Sequence, residues 1–409
     1  MAKTLVYEMY PLAWPGGLKQ MTKHLDRVAR LECVDYVWLA PVYPSPRYDH
    51  GYDVDNYYGV DGRLGGIDDL DKFIGRAHEL GLKVLMDLVL NHTSTSCPWF
   101  FTHPNWYCLE EDAATKYPGW HNLFDNGEAW AWDETSNTYY CHLFHEKQAD
   151  LNWFPDGKLN TGLVAKFRNV VNFWLKEHGV DGFRLDAVQA INKDFTRETL
   201  EAKDLLCGIK SCEVINAIFT GDGASVTQSG EKPFLMVELV DPSFGKIVDF
   251  YAENAPVVDF CLNILVKDLA DKSSEEFYRG LRESCKRPNY MLDLESHDSP
   301  RFASRWIQWG KITSLSALVG DDPQAICLYQ GQELGLKNPN KKALPDQMLL
   351  ELDAQTAMRF ERGESLNKLR HGSRANTRVP IPLERYESKH SITWLSRLVR
   401  VLKAWKQNP

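Results

Sequence analysis

The sequence has no apolar run approaching the length of a membrane span, and its start, Met-Ala-Lys-Thr-Leu-Val-Tyr-Glu, lacks the apolar stretch of a signal peptide. It has no excess of basic residues: 47 Lys and Arg stand against 56 Asp and Glu, and a net charge of -9 is the wrong sign for nucleic acid or an anionic membrane as a partner. There is no low-complexity tract, internal repeat or linker. The nine cysteines are odd in number and scattered, which argues against a disulfide framework and leads us to expect a reduced, cytoplasmic protein. Only Cys207 and Cys212 lie close together, and without a second pair nearby they are a poor zinc site. No cofactor motif is present.

What is there reads as an ordinary globular chain, with 44% apolar and 25% charged residues, long enough for one large domain with an insertion or for two domains. Aromatic residues are plentiful, 13 Trp and 17 Tyr among them, and such flat rings suit sugar faces or any large core. Short apolar runs alternate with amphipathic stretches. Strands are expected at 5–9, 34–39, 84–90, 182–186, 234–238, 257–260, 290–294 and 325–329. Helices are expected at 18–31, 69–80, 163–178, 274–285 and 392–405, among others. Eight strands with interleaved helices predict a closed parallel (β/α)8 TIM barrel. Residues 92–154, rich in Trp and without a helical period, break the rhythm. They are expected to form a separate lobe after the third strand, between barrel parts 1–91 and 155–409.

The chemistry centres on Gly182-Phe-Arg-Leu-Asp-Ala-Val188. Side chains two apart on a strand share a face, so Arg184 and Asp186 point the same way, and the guanidinium favours an ionised carboxylate. Such an Asp is either a nucleophile or one half of a structural ion pair at a strand end. Barrel enzymes place their sites where strands meet the following loops, and further candidates fall there. Asp87 and His92 straddle the end of the third strand, Glu238 ends the fifth and Asp298 follows the seventh. Glycoside hydrolysis needs one carboxylate to attack, one carboxylic acid to protonate the leaving oxygen, and charge to steady an oxocarbenium-like state. Glu238, preceded by four apolar residues and followed by Leu239 and Val240, is expected in a desolvated setting that suits a general acid. His297 is either a donor to sugar hydroxyls or a core histidine, and Asp298 beside it binds or stabilises.

These stretches resemble the conserved regions of the α-amylase family of glycoside hydrolases: Asp87-Leu-Val-Leu-Asn-His92, Gly182 to Val188, Val237-Glu238 and Ser296-His-Asp-Ser-Pro-Arg301. Its α-glucosidase and oligo-1,6-glucosidase branch is resembled by Ser45-Pro-Arg-Tyr-Asp-His-Gly-Tyr-Asp-Val54, Gln148-Ala-Asp-Leu-Asn152 and Leu369 to Arg378. The resemblance implies that Asp186 is the nucleophile, Glu238 the acid/base and Asp298 the carboxylate that holds the distorted ring. It implies that Arg184, His92 and His297 contact the sugar, that Tyr52 stacks on it, and that Asp53 and Arg378 pair to grip the terminal glucose. A retaining mechanism would set the two reacting carboxyls about 5 to 5.5 Å apart. The implied substrate is a short oligosaccharide or disaccharide, cut one glucose at a time from the non-reducing end.

The chain also departs from the family. Pro11 to Leu18 holds no acidic ligand where relatives carry a metal loop, so no calcium or magnesium is expected there. Val237 stands where Gly is usual, and Ala375 and Asn56 where Asp is common. The antiparallel β domain that such barrels usually append is not seen before Pro409. Ala187, after the nucleophile, leaves the linkage open. Hydrolysis therefore competes with a transglucosidase or disaccharide isomerase reading that uses the same intermediate. An inactive relative acting as a chaperone or transporter subunit is disfavoured, because Asp186, Glu238 and Asp298 are all present.

Overall fold

The computed structural model describes residues 3–206, 208–221, 224–264, 274–305, 322–339, 344–370, 373–382 and 399–407. Eight parallel strands close into a barrel: β1 (Thr4–Met9), β2 (Tyr36–Leu39), β3 (Lys83–Val89), β4 (Gly182–Asp186), β5 (Phe234–Leu239), β6 (Phe260–Asn263), β7 (Tyr290–Asp293) and β8 (Ala325–Tyr329). Each pairs with its sequence neighbour, and β1 pairs with β8 to complete the ring. The (β/α)8 expectation is met.

The strands are almost wholly buried because both faces are covered, which is why they read as apolar runs with few interruptions. Alternate residues fill two separate volumes. Val6, Trp38, Leu85, Met236, Met291 and Cys327 pack inside the cylinder. Leu5, Val37, Leu88, Phe183, Leu185 and Leu292 belong to the larger core, which also takes in residues of the outer helices. The Gly17–Ala29 helix turns Leu18, Met21, Leu25 and Val28 inward at spacings of three and four. The Ile67–Glu79 helix begins with Asp68 and Asp69 and ends with Arg76 and His78, which complements its dipole. Thr161–Asn172 is capped by the Asn160 side chain, which accepts from the Leu163 N–H at 3.2 Å, and then widens into a five-residue turn at Phe173–Glu177. At Gly182, a Cβ would lie 2.0 Å from the Phe234 carbonyl oxygen, so β4 and β5 can lie side by side only without a side chain there.

The sixth strand is not at 257–260. The chain turns there, with the Val258 N–H bonded to the Ala255 carbonyl, and the strand runs from Phe260 to Asn263. Residues 399–407 carry the described end of the last expected helix, while its start and Cys207 lie outside the described residues. The eight described cysteines are unbridged.

Between β3 and the Thr161–Asn172 helix the chain builds short antiparallel pairings. One joins His92–Ser94 to Gln148–Asp150, and another joins Leu109–Glu110, Thr138–Cys141 and Trp130–Asp133. Trp120 and Trp130 centre a small apolar cluster here, Trp99, Trp106 and Trp153 pack on the main core, and Trp132 is exposed. Trp99, Trp106, Trp120, Trp130 and Trp153 are therefore packing residues, the core alternative for their abundance. No described helix is long and apolar enough to cross a membrane.

Candidate active site

A cavity of about 550 Å³ opens at the C-terminal ends of the strands, and Asp186, Glu238 and Asp298 line it together with Tyr52 and His92. Asp186 is the last residue of β4, and Glu238 is the fifth of six in β5. Beneath them lies Arg184, 1% exposed. Its Nη1 donates to Asp186 Oδ1 at 2.5 Å and to Asp87 Oδ1 at 2.6 Å, and its Nη2 sits 2.7 Å from Glu238 Oε2. The guanidinium also faces the Trp38 and Tyr52 rings, 5.2 and 5.7 Å from their centroids.

One cation thus serves three carboxyls. Burial pushes the Asp186 carboxyl well up, with Glu238, Asp87 and Asp298 adding to it, and Arg184 opposes. Asp87, sealed in the barrel, is pushed by burial to about 6 against the pull of Arg184. The site therefore differs from the expectation that Arg184 keeps Asp186 ionised. The setting of Glu238 differs too. Its chain neighbours Val237 and Leu239 belong to the outer core, while Glu238 itself faces Arg184 and accepts from the Ala187 N–H at 3.4 Å. Ala187 is held at a φ of 42°, in the left-handed region that a non-glycine residue rarely occupies.

Asp298 is held by three cations. Arg378 Nη2 lies 2.7 Å and Arg374 Nη1 3.4 Å from its Oδ1, and His297 Nε2 lies 3.1 Å from its Oδ2. Burial works against its charge, but Arg374, His297 and Arg378 outweigh that and hold its carboxyl well below the usual range. His297 is itself gripped on both ring nitrogens. Nδ1 lies 2.5 Å from Glu8 Oε1, Nε2 contacts the Tyr52 hydroxyl at 2.6 Å, and the Tyr10 and Tyr52 rings lie nearly parallel to the imidazole with centroids 5.6 and 5.5 Å away. Burial alone would lower its pKa, yet Asp298 and Glu8 raise it to about 9. His92 is the opposite case: burial and the Lys193 charge lower it to about 3, so it is neutral, and its Nε2 lies 3.0 Å from Gln148 Nε2.

Two substrate residues expected from the sequence are placed elsewhere. Asp53 has its carboxylate occupied by its own loop, accepting from the Ser45 hydroxyl and from the N–H groups of Tyr48, Asp49 and Gly51. Arg378 lies beneath Asp298 and also donates to the His297 carbonyl, and among the described residues no ion pair joins it to Asp53. Asp49 and Arg374, each four residues earlier, line the cavity instead. Arg374 Nη1 stands 3.9 Å from Asp49 Oδ1, an oxygen that is buried and has no hydrogen-bond partner. Burial pushes Asp49 to about 6. His297 and Arg184 support the cavity from below rather than lining it. The sequence signal for Asp49 and Arg374 was present, since both fall within resembling stretches, but the choice between acids or arginines four apart was not.

Known proteins share this barrel. A family model described as alpha amylase, catalytic domain, matches residues 6–395. The trehalose-6-phosphate hydrolase of Escherichia coli (strain K12) is 38% identical over 205 residues, covering 46% of this chain and 36% of that protein. The probable oligo-1,6-glucosidase 3 of Bacillus subtilis (strain 168) is 28% identical over 432 aligned positions, covering 93% and 74%. The match to the alpha-glucosidase of Schizosaccharomyces pombe covers 35% of that protein, so the matched part of this chain spans about a third of the length of two of these relatives. Among solved structures, Bacillus licheniformis trehalose-6-phosphate hydrolase superposes with a TM-score of 0.81 at 25% identity, covering 99% of this chain and 83% of that one.

Proposed function

The chain belongs to the α-amylase family of glycoside hydrolases, and from that premise we propose that it is a retaining, exo-acting α-glucosidase that releases glucose from the non-reducing end of short α-glucosides. The observation that carries this reading is the shared guanidinium: Asp186 and Glu238, on adjacent strands, bind Nη1 and Nη2 of Arg184 at 2.5 and 2.7 Å. Two carboxyls joined through one guanidinium fit the separation of about 5 to 5.5 Å used by retaining enzymes better than the wider gap that admits a water.

In this mechanism Asp186 attacks the anomeric carbon while Glu238 protonates the leaving oxygen, and the glucosyl ester formed on Asp186 is then hydrolysed by a water that Glu238 deprotonates. Glu238, held 2.7 Å from the same guanidinium on the adjacent strand, stands where it can deliver that proton to the leaving oxygen and later take one from the water. Asp298, kept charged by Arg374, His297 and Arg378, grips the sugar ring and offsets the oxocarbenium charge. The unpartnered Asp49 Oδ1 and the Arg374 guanidinium supply an acceptor and donors for the hydroxyls of the terminal glucose. Tyr52 offers the ring on which that glucose stacks, beside neutral His92.

The test is the proton NMR spectrum of fresh product from an α-glucoside. α-Glucose appearing first supports the reading, whereas β-glucose appearing first contradicts it. The same spectra separate hydrolysis, which accumulates free glucose, from transfer, which yields new saccharides.

A further inference from the structure

Resting on the glucosidase reading, we propose that the leaving-group side of the cavity is built for an apolar aglycone, so that the preferred substrates are α-glucosides of alkyl or other hydrocarbon-bearing alcohols rather than of a second sugar or a sugar phosphate. The acid that protonates the leaving oxygen must touch it, so the aglycone extends from the sugar past Glu238. The described side chains on that flank of the cavity are Leu205, Leu206, Val240, Ile264 and Pro300, contributed after strands β4 to β7.

One polar side chain, Gln189, lies among them, and its groups are engaged. Its Nε2 donates to the Leu206 carbonyl at 2.7 Å and to the Val240 carbonyl at 3.1 Å, while its Oε1 accepts from the Val240 N–H at 2.7 Å. Gln189 therefore staples the two apolar loops together instead of presenting an amide to a hydroxyl. The next backbone unit is closed in the same way: Asn263 accepts from the Asp241 N–H at 2.9 Å and donates to the Asp241 carbonyl at 3.0 Å. Asp241 in turn accepts from the N–H groups of Gly245, Ile247 and Val248 and so fixes the loop that carries Val240.

Among the described residues this flank is thus apolar, and the polar groups of Gln189 and Asn263 bond to the loop backbone. A sugar hydroxyl pressed against it would lose water without gaining a partner, whereas a hydrocarbon loses nothing. Among the described lining residues the cation is Arg374, and it is engaged with Asp49 and Asp298.

The experiment compares kcat/KM for α-glucosyl fluoride, the methyl, propyl and hexyl α-glucosides, maltose, isomaltose and trehalose-6-phosphate. Each methylene that reaches the wall is expected to raise kcat/KM about fourfold, with the hexyl glucoside ahead of both disaccharides and of the phosphate. In Ile264→Asn the ratio of hexyl to methyl is expected to fall about tenfold relative to the native enzyme. Equal values for methyl and hexyl glucosides, or faster turnover of either disaccharide or of the phosphate, would overturn the inference. α-Glucosyl fluoride, which has no aglycone to contact the wall, separates the two failures. If it is consumed but chain length has no effect, only this inference fails. If it is not consumed, the glucosidase reading falls and takes the inference with it.

Discussion

Replacing Arg184 with Gln would test how one buried cation governs the reacting carboxyls. The guanidinium contacts Asp87, Asp186 and Glu238 within 2.7 Å and is almost wholly screened from water. Removing it leaves three carboxyls in a closed site without their cation, a change of the kind that costs about 3 to 5 kcal/mol of stability. The cost depends on pH. Asp186 and Asp87 are already raised by burial with Arg184 pulling the other way, so without it they rise further. An arginine beside a carboxylate lowers its pKa, and the variant loses that pull. Carboxyls whose folded pKa exceeds the unfolded value stabilise the fold below the unfolded pKa, and that contribution is lost as pH rises through the folded one. The stability gap between native and Arg184→Gln proteins should therefore be small near pH 4.5 and open progressively above pH 6. In the proposed mechanism Asp186 attacks as the carboxylate, so the acidic limb of kcat/KM for an aryl α-glucoside should move to higher pH. Urea unfolding at several pH values and a pH–rate profile read the two effects. An unmoved acidic limb, or a stability gap equal at all pH values, would refute the reasoning.

Other outcomes follow from the same contacts. Glu8→Gln keeps a hydrogen-bonding partner for His297 but removes one of the two charges that raise it to about 9. Its stabilising contribution, present below about 6.5 and lost as pH rises through 9, should therefore disappear at a lower pH, measured by thermal unfolding between pH 7 and 10. Asp49→Asn should raise KM about tenfold or more with a small effect on stability, and should abolish the loss of substrate affinity expected in the native enzyme as pH falls through about 6. Asp53→Asn should instead cost about 1 to 3 kcal/mol in urea unfolding through the loop it organises. Lys193→Met should cost about 3 to 5 kcal/mol, because Lys193 Nζ pairs with buried Asp150 at 3.2 Å and donates to Asn91 at 2.6 Å, joining the segment after β4 to the insertion.

The barrel was legible because its strands carry strong local signals. β4 and β8 match their expected bounds, and β1, β2, β3, β5 and β7 differ by a residue or two at their ends. β6 is displaced because a strand buried on both faces has no alternation to fix its register, and the apolar Val257 and Val258 lie in the turn just before it. Asp186, Glu238 and Asp298 could be placed at the barrel mouth because strand ends define it. Their environments could not be read the same way. Val237 and Leu239 suggest an apolar setting for Glu238, yet alternation sends those side chains to the other face and leaves it against Arg184, a residue fifty-four positions away. Asp49 and Asp53 differ in that Asp53 folds back on backbone N–H groups, a local habit of aspartate that depends on loop geometry. Arg374 and Arg378 are separated by one helical turn, and only the three-dimensional position of Asp298 decides which of them lies underneath. Glu8 carries no local signal, since its partner His297 is 289 residues distant.

The central claim is that Asp186 forms a covalent bond to the sugar. The most direct measurement is peptide mass spectrometry after incubating the protein with 5-fluoro-α-glucosyl fluoride, whose intermediate forms readily but hydrolyses slowly. The account predicts a single fluoroglucosyl adduct on the peptide containing Asp186, absent from Asp186→Ala. An adduct on another carboxylate, or one that persists in Asp186→Ala, would contradict it.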